Sequence, residues 1–117
     1  MAGLYGNSVA SNVQSGAVFA PTGSWVALRA GSANVNNRQC IKIQPRGRNT
    51  IRLAVRYVNI NADRTFTAPT SAAHPDFIYP STAVISEPIG SDVTVFGRAV
   101  QNGGSSGGLK VIVAEFS

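Results

Sequence analysis

Apolar and polar residues alternate one for one along Ile41-Lys42-Ile43-Gln44, and again along Ile51-Arg52-Leu53 and through Val55 and Arg56. Successive side chains of an extended chain leave on opposite sides, so a period of two is a strand signature. The pattern predicts strands over 39–44 and 50–58. It turns Ile41, Ile43, Ile51, Leu53 and Val55 toward a core and Lys42, Gln44, Arg52 and Arg56 away from it. A slip of one residue would carry the charges inside, so the alternation pins the register. Between the runs, Pro45-Arg46-Gly47-Arg48-Asn49 supplies residues suited to turn dihedrals. The two runs read as a β-hairpin that displays its cations on one face, with Arg46 and Arg48 at the tip and Arg38 at the entrance.

The rest of the chain reads as β as well. Trp25 to Ala30 is a short strand ended by Gly31-Ser32 and a polar Asn34-Val35-Asn36-Asn37 turn, and Thr65-Phe66-Thr67 is a further candidate. Asp76 to Pro80 and Ala83 to Pro88 are short runs, each closed by a proline that cannot donate to a ladder. Val93 to Val100 and Leu109 to Phe116 read as a pair of strands joined by a Gly/Ser loop over 101–108. No segment combines helical periodicity with caps. The expected architecture is all-β: one β-sandwich or jelly-roll-like domain of about seven to eight short strands over 25–117. An extended N-terminal arm, 1–24, precedes it. Leu4, Tyr5, Val18 and Phe19 would anchor that arm on another subunit, with a floppy terminus or an edge strand of its own domain as the alternatives.

Charge is scarce and unevenly placed. Only 13% of the 117 residues are charged, every acid lies at or beyond Asp63, and seven of ten basic residues lie before it. The segment 1–60 therefore carries +7 and 61–117, with three basic residues against five acids, carries −2, which gives the net +5. Such asymmetry favours an acidic partner or head-to-tail contacts between copies. Cys40 is the single cysteine, too few for an intrachain disulfide or a thiolate zinc site, and reads as a small hydrophobe near the core. The start lacks a signal-peptide pattern and no window is apolar enough to span a membrane, so synthesis in a cytoplasm with no membrane partner is expected.

Catalytic chemistry finds little footing. His74 is the only histidine, and its closeness in sequence to Ser71 and Asp76 is not a triad without tertiary geometry and an oxyanion hole. The acids Asp63, Asp76, Glu87, Asp92 and Glu115 are dispersed, and the glycine-rich segments lack the lysine and helix of a phosphate loop. The expectation is a protein that is not an enzyme, with no catalytic residue, cofactor or metal. The basic hairpin alone has chemical content: Arg38, Lys42, Arg46, Arg48, Arg52 and Arg56 could converge on phosphates or carboxylates. Nucleic acid is the weaker partner, because stacking aromatics are missing from that face and Tyr57 falls by parity on the apolar side.

The order of elements resembles a family. A short strand, an Asn-Arg turn into Ile41-Lys42-Ile43-Gln44, a Gly turn into Ile51-Arg52-Leu53, a proline-rich centre with Glu87-Pro88-Ile89, and a final Val93-Thr94-Val95-Phe96-Gly97 with Val111 to Phe116 are similar to small β-sandwich virion accessory proteins of tailed bacteriophages. The likeness spans roughly 25–117. It implies a capsid decoration (cement) protein that sits in the virion, binds the major capsid protein or other virion proteins as a homo-oligomer, a trimer in particular, and bridges shell subunits. A head–tail connector or tail structural protein is the alternative within that class, and a small basic nucleic-acid-binding β-module is the alternative outside it.

Overall fold

The computed structural model describes the backbone at 2–3, 5–6 and 101, and backbone and side chains over 12–31, 34, 37–47, 51–61, 65–100 and 108–117. Among these residues there is no helix. β1 (Ala2–Gly3) and β2 (Tyr5–Gly6) pair only with each other. The remaining strands are β3 (Val13–Pro21), β4 (Val26–Ala27), β5 (Cys40–Arg46), β6 (Ile51–Asn59), β7 (Phe77–Pro80), β8 (Ile85–Glu87), β9 (Val93–Gln101) and β10 (Gly108–Phe116).

They form two four-stranded antiparallel sheets, ordered β3-β10-β5-β8 and β4-β9-β6-β7. Every connection from β3 to β10 crosses from one sheet to the other, except β6 to β7, which pair side by side. Eight strands wound this way make a jelly roll. The inward rows interdigitate into one core, where Leu28, Ile41, Ile43, Leu53, Val55, Val95, Leu109, Val111 and Val113 are at or below 2% exposure. Each such side chain contributes roughly 1.5–3 kcal/mol by leaving water. At Gly97 an added Cβ would lie 2.8 Å from the Leu28 side chain, so any larger residue there would make that leucine shift.

The all-β sandwich and the in–out alternation stand as expected, but the pairing differs in two places. β5 and β6 are not a hairpin: they lie in opposite sheets and face one another through the core. β9 and β10 are likewise separated, each in the middle of its own sheet. Alternation fixes which side of a strand is apolar and is silent about whether the next strand sits beside it or across the core, so both arrangements satisfy the same pattern.

The boundary at 24/25 also moves. Residues 13–21 are β3, an edge strand paired with β10 from Val13↔Phe116 to Pro21↔Gly108, so this part of the expected arm belongs to the sandwich. The strand expected over Trp25 to Ala30 is ladder-paired only at Val26–Ala27, and 65–67 is irregular.

Candidate interaction surface

The crossing of β5 to β6 divides the expected basic face in two. Lys42 and Arg46 point outward from the first sheet, whereas Arg52 and Arg56 point outward from the second, on the far side of the molecule. Arg48 and Leu4 lie outside the described residues, as does the Tyr5 side chain.

Two further candidates are corrected by burial. Val18 turns inward and packs against the main core, so it is no outward anchor. Arg38 is 3% exposed and forms a 2.7 Å ion pair with Glu115, whose side chain is equally buried. Asn37, in the left-handed region at φ 57, turns the chain just ahead of Arg38, and the irregular stretch between it and β5 leaves the Arg38 side chain under the 89–93 turn. There its guanidinium donates to the carbonyls of Ile89 (3.1 Å), Gly90 (2.8 Å) and Val93, while Glu115 Oε1 accepts the Ala30 N–H at 2.7 Å. A buried guanidinium needs its donors satisfied, and this site satisfies them.

The outer face of the second sheet is covered over its Trp25–Ala54–Phe96 region, while Ile78 and Arg52 on the same face stay exposed. Residues 65–76 cross it as a strap, and Phe66 meets the Phe96 ring edge-on at 5.4 Å over a small second core of Trp25, Ala54 and Phe96. Arginines tie the strap down: Arg56 donates to the His74 carbonyl and Arg98 to the Ser71 carbonyl. Arg98 also lies 4.7 Å over the Trp25 ring, and Arg29 lies 5.5 Å over Phe66. The Asp76 carboxylate accepts the Tyr57 N–H at 2.8 Å. Ser71, His74 and Asp76 thus take part in holding the strap, two through their carbonyls and one through its carboxylate.

At the β7–β8 side of the sandwich, Tyr57, Phe77 and Tyr79 form a ring cluster, with Tyr57 to Phe77 at 5.9 Å. Burial, with Tyr79 and Glu87 adding to it, pushes the Tyr57 phenol up to about 12, and burial with Glu87 raises Tyr79 as well.

What stays open is the outer face of β3-β10-β5-β8. Register carries Phe19, Lys110 and Arg46 across it in one row, Ala17, Ile112 and Gln44 in the next, and Ser15, Ala114, Lys42 and Ser86 in the third. Phe19 is 64% exposed, and Lys42, Arg46 and Lys110 are exposed. No strand position on this face is acidic, because Glu115 and Glu87 sit on the inward rows of β10 and β8. Lys110 stands directly opposite Arg46, a like-charge cross-strand pair that destabilises a sheet unless an anion neutralises it. Lys110 was the residue the hairpin reading overlooked. The alternation Leu109, Lys110, Val111 marks it as outward, and the same parity marks Glu115 as inward. Cys40 opens β5 on this outward parity, half-buried, with Sγ 3.7 Å from the Ser86 hydroxyl.

No protein-family model, curated protein or solved structure matches the chain.

Proposed function

We propose that this chain is a non-enzymatic structural protein of a virus particle, a decoration (cement) protein that binds the outside of a tailed-phage head and bridges its subunits. The observation that carries this reading is the open face of the first sheet, where Lys42, Arg46 and Lys110 stand among Phe19, Ala17 and Ile112 with no acidic strand position between them. Jelly rolls serve capsid proteins, lectins and cupins alike, so the fold provides a scaffold and function has to be argued from the surface. The interior here is filled with aliphatic side chains, which leaves the exterior to do the binding. A flat face combining apolar area with unneutralised cations suits an acidic protein surface, which would add buried interface to a shell and relieve the Lys110–Arg46 repulsion.

A nucleic-acid-binding reading gains from one feature, the exposed Phe19 ring in line with Lys110 and Arg46, since stacking beside cations is how single strands are held. One experiment separates the readings. Heads lacking this protein are mixed with the purified chain and sedimented. Charge reversal at Arg46 and Lys110 is expected to abolish co-sedimentation, while reversal at Arg52, on the opposite sheet, leaves it intact. Failure of the unaltered chain to bind heads, or equal binding by the Arg46/Lys110 variant, overturns the decoration role. Affinity for single-stranded DNA that falls steeply with salt would favour the second reading.

A further inference from the structure

Four strands form the edges of the two sheets, and they differ sharply. β4 has two residues, β8 three with Pro88 just beyond, and β7 four ending at Pro80. Short, proline-bounded strands are the usual protection of a sheet edge. β3 has nine residues, reads Val-Gln-Ser-Gly-Ala-Val-Phe-Ala-Pro without a charge, and keeps unbroken one-to-one register with β10. It has no bulge, no lysine and no interior proline to blunt it.

The open groups of β3 follow from its ladder. Asn12 and Ser117 exchange both backbone hydrogen bonds, at 3.0 and 2.9 Å, and the register continues from there into β3. In an antiparallel ladder such pairs recur at every second residue. Gln14, Gly16, Val18 and Ala20 therefore hold β10, while the N–H and C=O groups of Val13, Ser15, Ala17 and Phe19 point to the open edge. Among the described residues no strand pairs there.

We propose that this edge pairs antiparallel with β3 of a second copy, across a two-fold axis at Ala17, joining the two first sheets into one of eight strands. The strand is its own complement in that register. Ala17 meets Ala17, Ser15 meets Phe19 and Val13 meets Pro21, so the bulky Phe19 is opposed by a small residue, and the missing Pro21 donor lies at the very end of the ladder. Opposed residues share a face, which keeps the inward rows inward in both copies. The row of Phe19, Lys110 and Arg46 falls at opposite ends of the joined sheet, so the two sets of cations are not brought together. The contact is isologous and closes at two copies. It does not depend on the virion role, and it differs from the trimer that the family resemblance implies.

The test is amide exchange by NMR on the unaltered chain at low and at high concentration, up to about 1 mM, beside light scattering on a size-exclusion column. Ser15, Ala17 and Phe19 amides are expected to gain protection with concentration, whereas Gln14, Gly16, Val18 and Ala20 are protected throughout. The mass is expected to be twice 12.2 kDa. Ala17→Pro and Ala17→Lys, which leave the β10 ladder untouched, should each return it to one copy. A monomer at every concentration, a trimer, a dimer indifferent to both substitutions, or odd-numbered amides that exchange freely in the dimer would each overturn the proposal. The exchange measurement needs no variant, so it decides the matter even where a substitution unfolds the domain.

Discussion

Among the described residues, Arg38 and Glu115 are the charged side chains that this fold takes out of water, and they join three distant parts of the chain: the turn before β5, the carbonyls of 89–93 and the last strand. An ion pair of this kind is weak as a source of net stability but severe when broken, because the survivor is left buried without its counter-charge. Arg38→Met is expected to cost about 3–5 kcal/mol in urea unfolding. The double variant Arg38→Met with Glu115→Gln should cost less than the single one, because the amide oxygen still accepts the Ala30 N–H and no carboxylate is stranded. A double variant as unstable as the single one would mean that packing of the arginine stem, and not charge, governs the site.

The strap over the second sheet shows how arginines can be structural without forming salt bridges. Arg56 and Arg98 spend their donors on carbonyls of 65–76 and thereby cover Trp25 and Phe96. Arg98→Ala removes both a charged hydrogen bond and the cation stacked on Trp25, a loss of about 1–3 kcal/mol. Trp25 is the only tryptophan, so its emission should shift to the red as water reaches the indole, and an unchanged spectrum would contradict the tie. This element also marks what the sequence could reveal. In and out were legible from Ile41, Lys42, Leu53 and Arg52, since the alternation is local chemistry. Neighbours were not, because Lys42 and Arg52 alternate identically in a hairpin and in facing layers. Arg38 was misplaced because strand parity holds only within a regular strand, whereas Arg38 lies in the irregular stretch before β5 begins at Cys40, and the role of Arg98 depends on a strap that no periodicity describes.

At the scale of the molecule, the winding makes nearly every pairing non-local: Val13 lies opposite Phe116, and Ile51 opposite Gln101. Loop closure on that scale has to be paid before the contacts form, which places refolding in the millisecond to second range typical of β-sandwiches. Stopped-flow fluorescence of Trp25 would measure it, and a microsecond rate would be inconsistent with this topology.

The unequal edges have a consequence for solubility. A fibre grows only if each unit offers a donor and an acceptor edge, one on either side, so that every addition exposes a fresh end. Here β4, β7 and β8 are too short to template another strand, and β3 is the lone long one. Once it is occupied, nothing equivalent remains exposed, so strand addition to these sheets is self-terminating.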